Sequence, residues 1–483
     1  MLTTWKAEPA LEAEEVEHLV CSAFKYGQNQ PGIRAPELAF DPIPITTPSE
    51  KPKHPVDLNA EFAFVTAGGG SQILWFTTDD MNNPFVDHLS VTTFHERLAN
   101  RTFTPDGGKP TAVSKMWMQW PKRKTYDGVI FAPNRDNPRF FNKWRGFLCK
   151  PLTEEPTEKA VAALERFKEH ITKNVAHGNE KDAEWIFGWL AHMFQRPEQK
   201  PRTALVLRGR KGVGKSVIFE CLRRIIGTHF CLVANRRFLA GNFNGHLEDK
   251  IMYVLEEAFW SGAKDTEGIL KDLVTGKKHM IERKGRETYE VDNLARVVIL
   301  GNDDWIVPAS EDERRYAVFS VADHNRNDEH FFQGIAEEMD PRLLLKFFMD
   351  FDLSKVNVNK APDTEALMGQ KEQSLDPFKM WWVGILKLGY LIGSPGDEWP
   401  ENVSRATFRD AFDSFAKSQN VRRPPNPVQI GKMFKQIAPS SATDKVKREG
   451  DILYRVYELA SLEAARAEWE QYIGGKVKWS ENS

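Results

Sequence analysis

Four cysteines in 483 residues, Cys21, Cys149, Cys221 and Cys231, lie far apart and form no C-x-x-C pair. That spacing excludes a disulfide framework and a zinc ribbon and points to reduced, structural thiols. No window approaches the roughly 18 uninterrupted apolar residues of a membrane helix. The start, Met1-Leu-Thr-Thr-Trp-Lys6, lacks the charged-then-apolar layout of a signal peptide. The expected location is the cytoplasm, with no membrane partner. Charge of one sign is also missing, for 66 Lys+Arg face 68 Asp+Glu and the formal net charge is −2. A globally basic nucleic-acid binder is therefore excluded, and any such contact must come from local patches. Candidates are Lys122-Arg-Lys124, Arg208-Gly-Arg-Lys211, Lys277-Lys278 with Arg283-Lys-Gly-Arg286, and Arg422-Arg423. Each alone is equally well explained as a solvated surface. No internal repeat is present. What the chain does have is 41% hydrophobic residues, enough to build about three domains at ~150 residues each.

The organisation follows from composition and period. Residues 1–58 hold a helical pattern, with Val16, Leu19, Val20 and Phe24 on one face, and a linker from Ala35 to Pro55 too rich in proline for helix or strand interior. Residues 59–150 look like a small α/β or β-rich domain, with strand-like 61–65 and 73–76 around Gly68-Gly-Gly70, a hairpin turn since no Lys-Ser or Lys-Thr follows. Its basic and aromatic segment Trp117–Lys124 suits DNA or simple packing, and a buried Trp pair is the commoner use. Residues 151–200 form a helical collar in which Ile186, Trp189, Leu190 and Met193 make one stripe. Residues 201–325 are the nucleotide core, 326–375 a helical lid or linker, and 376–483 a C-terminal domain. In that last domain helices over 405–418 and 428–437, a basic turn at 445–450 and a strand over 452–457 suit a winged-helix fold.

The most informative stretch is Gly209-Arg-Lys-Gly212-Val-Gly214-Lys215-Ser216, which fits G-x-x-x-x-G-K-[ST] directly after the apolar run 204–207. Its glycines let successive N–H groups face phosphates, Lys215 supplies a mobile charge and Ser216 a hydroxyl for Mg²⁺. The implied cofactors are ATP, or another nucleoside triphosphate, and Mg²⁺. A phosphate loop does not separate kinase, switch and motor, so downstream residues must. The apolar strand 251–255 ends in Glu256-Glu257, as required when one carboxylate orients the metal and the next polarises water. A second strand, 295–300, ends in Gly301-Asn302, whose amide would reach the γ-phosphate if the strand lies beside the phosphate-loop strand; otherwise Asn302 is a turn residue. Arg314 and Arg315 precede the strand 316–320 and suit either an arginine finger, often from a neighbouring subunit, or a salt bridge with Asp312 or Glu313. Between these strands, 277–291 has strand-like flanks around a cationic Lys284-Gly285 turn, a tip able to grip phosphates without reading sequence.

In order and spacing these motifs resemble superfamily 3 helicases, and most of all the helicase part of phage, prophage and poxvirus-type primase-helicase proteins. The stretches 270–276, 281–284 and 312–316 are similar to that group, as are Tyr126–Pro133 and Asn142–Phe147 upstream. The resemblance implies an α/β AAA+ core that assembles as a ring, usually a hexamer, around single-stranded or forked DNA, moving 3′ to 5′ during replication. It also implies that Gly209, Gly212, Gly214, Lys215 and Ser216 bind phosphate, Ser216 and Glu256 the metal, and Glu257 the water. Asn302 would be sensor 1, Arg314 or Arg315 the finger, and Arg283, Lys284 and Arg286 the DNA contacts. The region before the core departs from the pattern. Asp79-Asp80 sits in a loop with no partnering histidine, so primase activity is expected to be absent and a separate primase or polymerase is an expected partner. The rival expectation is an ATP-switched initiator or loader that binds DNA without unwinding it.

Overall fold

The computed structural model describes residues 58–67, 70–78, 84–104, 108–234, 244–256, 264–282, 288–310, 313–391, 398–449 and 452–479. The N-terminal helix and proline-rich linker, Gly68-Gly69 and Asp79-Asp80 lie outside these. The chain divides into two compact units, one running to Thr125 and the other comprising Tyr126 onward together with Thr66–Gly70.

The first unit carries β1 (Phe62–Ala67), β2 (Gly70–Thr78) and β3 (Pro84–Ser90), neighbours in the order β3-β2-β1, with β2 and β3 antiparallel. Two short helices follow, α1 (Val91–Arg97), capped by the Ser90 side chain, and α2 (Val113–Gln119). Its core is Leu58, Phe62, Ile73, Phe94 and Trp117. The Trp117 indole N–H donates to Asn59 Oδ1 at 2.9 Å, and the Arg123 guanidinium lies 4.0 Å over the Phe64 ring. Trp117 therefore serves packing. Residues 126–150, grouped with this domain by composition, belong instead to the second unit: Trp144 and Phe147 pack on its main core and Lys143 pairs with Glu248 at 3.0 Å, both nearly buried.

The second unit begins with a helical layer. Helix α3 (Glu158–Glu169) runs into a π-helical turn, His170–Val175, and α4 (Glu180–Gln195) follows. The break between them falls at His177 and Gly178, both with positive φ, and Asn179 caps α4. Next come β4 (Ala204–Arg208), α5 (Val217–Ile226), β5 (Phe230–Val233), β6 (Met252–Glu256) and α6 (Lys264–Thr275). A hairpin of β7 (Lys278–Ile281) and β8 (Tyr289–Asp292) precedes β9 (Arg296–Gly301) and β10 (Tyr316–Ser320). Five of these strands form one parallel sheet in the order β5-β6-β9-β4-β10. Continuous apolar runs are what such strands need, because both faces are covered. Leu205, Leu207, Val298 and Phe319 join one core with α3, α4 and α5, while Ala204, Val206, Val297 and Val318 join another with α6.

Helices α7 (Glu329–Ala336), α8 (Pro341–Met349) and α9 (Glu365–Gln373) follow, then α10 (Pro377–Leu388). The last segment is β11 (Asn402–Ser404), α11 (Arg405–Ser418), α12 (Pro427–Ile437), β12 (Thr443–Glu449), β13 (Ile452–Glu458) and α13 (Leu462–Ile473), with an antiparallel sheet ordered β11-β13-β12. Residues 445–449, expected as a basic turn, are instead strand β12, paired with β13 from Lys445↔Val456 to Glu449↔Ile452. Lys445 through Arg448 are all solvent-exposed, so no buried/exposed alternation marked them as strand. No helix among the described residues is long and apolar enough to cross a membrane.

Candidate functional site at the phosphate loop

The loop between β4 and α5 is shaped by glycines at φ +83° in both Gly212 and Gly214. A Cβ at Gly214 would lie 2.1 Å from the Phe332 ring, and one at Gly212 would lie 2.0 Å from Asn327 Oδ1. Glycine is thus demanded twice over, by conformation and by space. Helix α5 starts at the end of the loop, and the Ser216 side chain makes no cap bond to it. Its first N–H groups and the positive end of its dipole face the loop, a suitable seat for an anion.

Strand β9 lies directly beside β4, with Gly301 opposite Arg208. That adjacency puts Asn302 next to the loop, and Lys215 Nζ donates to Asn302 Oδ1 at 2.8 Å as well as to the carbonyls of Gly209 and Arg210 at 2.5 and 2.9 Å. Strand β6 is the next neighbour, with Glu256 opposite Leu300. A cavity of about 550 Å³ joins these groups, its lining including Lys211, Lys215, Ser216, Glu256 and Asn302 together with Val217, Glu220, Phe332, Gln333 and Glu337. Glu257 lies outside the described residues.

The loop's carbonyls are held by groups the sequence did not single out. Arg326 Nε donates to Lys211 O, the Asn327 N–H to Gly212 O at 2.9 Å, and His170 contacts Gly214 O through Nε2 at 3.0 Å. His170 is fully buried, and burial pulls its imidazole down to about 4. A trace existed in the sequence: His170 and Asn174 interrupt, four residues apart, the apolar face made by Phe167 and Ile171.

Arg314 and Arg315 are not brought to this cavity. They precede β10 at the opposite, N-terminal edge of the sheet, where the Arg315 carbonyl accepts from Ala204 N–H. Arg315 is clasped by buried Glu313, whose carboxylate also accepts from both arginine backbone N–H groups; the hydrogen bond to Glu313 raises the guanidinium's already high pKa. Arg314 is exposed and has no ion pair among the described residues. Asp312, Arg283, Lys284 and Arg286 lie outside the described residues, although the hairpin flanks that carry the latter three are present, with Lys278 paired to Glu290 at 2.7 Å.

A family of unknown function, DUF5906, matches residues 207–315, the stretch from the phosphate-loop strand to the paired arginines. The DNA primase-polymerase of Nitratiruptor phage NrS-1 is 22% identical over 224 residues, which is 45% of this chain and 30% of that protein. The match therefore spans less than a third of the relative's length. The apo structure of the NrS-1 C-terminal region aligns over 85% of this chain and 100% of that one, with a TM-score of 0.60 and 16% identity. A second apo form of the same region gives 0.58, also at 16% identity, over 84% and 98% of the two chains. At that identity the likeness is one of fold, and this chain is a mixed α/β protein similar in fold to the C-terminal region of a phage protein.

Proposed function

We propose that this chain is an ATP-dependent DNA helicase of a phage or mobile element, an AAA+ ATPase of the superfamily 3 type that assembles as a ring and moves along single-stranded DNA during replication. The observation that carries the reading is the link between Lys215 and Asn302 at the mouth of a cavity that also holds Ser216 and Glu256. One ammonium, one amide, one hydroxyl and one carboxylate converge where the terminal phosphate of a bound nucleotide would lie. The residues fit the expected cofactors: glycine-shaped N–H groups suit phosphate, and Ser216 with Glu256 suits a Mg²⁺ that takes its other ligands from phosphate and water. Bound Mg²⁺ would neutralise charge on the transferred phosphoryl group. Lys215 would exchange its loop carbonyls for phosphate oxygens, Asn302 would hold the water or the γ-phosphate, and Glu257 is assigned as the base.

The position of the arginines supports assembly. A parallel strand rises about 3.3 Å per residue, so a group before β10 is a strand's length from its own phosphate loop. It is better placed to serve a neighbour's nucleotide, and Arg314, exposed, is the better finger than Arg315, clasped by Glu313. The hairpin tip with Arg283, Lys284 and Arg286 is assigned to DNA, and the helix–helix–ribbon order of the C-terminal segment supports a winged-helix domain. The NrS-1 likeness supports a place in phage replication, with a primase or polymerase as partner and the host cytoplasm as location.

Displacement of a labelled strand from forked DNA, with ATP and Mg²⁺, tests the proposal. Activity that requires a 3′ tail and is lost in Lys215→Ala is the expected result. ATP hydrolysis and DNA binding without displacement would overturn it in favour of a loader or switch.

A further inference from the structure

We propose that His170 is a positioning residue for nucleotide binding, a group on the helical layer that fixes the Gly214–Lys215 peptide of the phosphate loop. The inference rests on the reading of that loop as a nucleotide site. A carbonyl oxygen only accepts, so the His170 Nε2 facing Gly214 O at 3.0 Å must carry the proton. In the neutral ring Nδ1 then has to accept, and the Asn174 amide is placed to donate to it at 3.0 Å. Asn174 thereby selects the tautomer, in the way that the partner of one ring nitrogen sets the state of the other. The ring is confined by Phe331 and Phe332, both edge-on, at 6.2 and 5.4 Å between centroids.

The consequence lies in the peptide itself. In a planar trans peptide the C=O and the following N–H point in opposite directions. With Gly214 O committed to His170, the Lys215 N–H is turned the other way, towards the side a phosphate would occupy. Asn327 does the same for the Val213 N–H through Gly212 O. The π-helical turn is anchored as well, for the Ala322 N–H donates to the Asn174 carbonyl at 2.8 Å, and just beyond the turn His177 contacts Ser320 O. π-helical turns of this kind are often found at functional sites.

The test measures affinity for ATP with Mg²⁺ by titration calorimetry, alongside the thermal midpoint without nucleotide. His170→Phe keeps a ring and removes the donor; it should weaken ATP binding roughly 10-fold or more, the usual scale for a lost supporting partner, with the KM for ATP rising more than kcat falls. His170→Gln restores a donor near the Nε2 position and should return affinity to within about 3-fold of wild type on the same scale. Asn174→Leu frees the tautomer and should weaken binding by a smaller factor, which keeps the test open if His170→Phe fails to fold. Unchanged ATP affinity in His170→Phe, or in Asn174→Leu if the Phe variant does not fold, would overturn the inference, as would a Gln variant no better than Phe. Wild-type protein that does not bind ATP, or binding that survives Lys215→Ala, would instead remove the nucleotide-site reading and this inference with it.

Discussion

The two edges of the five-stranded sheet treat backbone polar groups in opposite ways. At the C-terminal edge the loop after β4 lines a cavity, and the Lys215 ammonium rests on carbonyls and an amide that it can leave. At the N-terminal edge Arg296 is fully buried and spends its guanidinium on the carbonyls of Pro197, Leu294, Arg196 and Gln199 and on His192 Nδ1. No carboxylate bonds to it among the described residues, and burial pulls its pKa down to about 9. His192 is held near 3 by burial and by the Arg296 charge, so it stays neutral and can accept. One edge has exchangeable partners, as the proposed nucleotide site requires; the other has permanent ones and ties the end of the helical layer to the sheet.

The comparison breaks first if Lys215 is not an exchangeable cation. Lys215→Ala should lower ATP hydrolysis by roughly 10²–10³-fold, the scale of losing one preorganised electrostatic contact, while the thermal midpoint barely moves. A steady-state assay beside a melting curve checks both halves. At the other edge the reverse is expected. Arg296→Met should cost about 3–5 kcal/mol, since several buried carbonyls lose their donor together, and the denaturant midpoint reads this directly. A loss below about 1 kcal/mol would show that water replaces the guanidinium there.

Acid sharpens the contrast. His170, His192 and His279 are held down to about 4, 3 and 4, each mainly by burial. Below their unfolded value near 6.5 the unfolded chain takes up protons that the folded chain refuses, so stability is full above pH 6.5 and falls until the folded values are reached. Each histidine contributes up to about 1.4 kcal/mol per pH unit within that window, and urea unfolding at pH 7 against pH 5.5 measures their sum together with the share of His229, which burial also holds down. A flat profile would mean that these rings are hydrated in solution. Smallest is the effect at Lys278, whose pair with Glu290 on the hairpin is exposed. Lys278→Ala should leave the thermal midpoint unchanged, in contrast to the fully buried Arg296.

The loop from Gly209 to Ser216 was legible as a glycine-shaped connection from β4 to α5 because its spacing, G-x-x-x-x-G-K-S, encodes that conformation locally. The strands 204–208 and 316–320 were readable for a similar reason, being short apolar runs bounded by polar residues. Strand β12 was not, because its exposed lysines and arginine carry no burial pattern and only pairing with β13 makes it a strand. The packing of residues 126–150 with the second unit was not legible, because Lys143 and Trp144 reach Glu248 and His229, which lie far along the chain.

By itself the sequence determined the glycine-shaped loop between β4 and α5, the apolar strands of the sheet and the identity of the polar residues that end two of them, since these depend on local conformation and hydrophobic period. Only the tertiary structure decided that β9 lies between β4 and β6, which brings Asn302 to Lys215, and that Arg314 and Arg315 sit at the far edge from that site. It also placed His170, 44 residues before Gly214, against the Gly214 carbonyl. Strand order and burial arise from contacts between distant segments, and no local spacing records them.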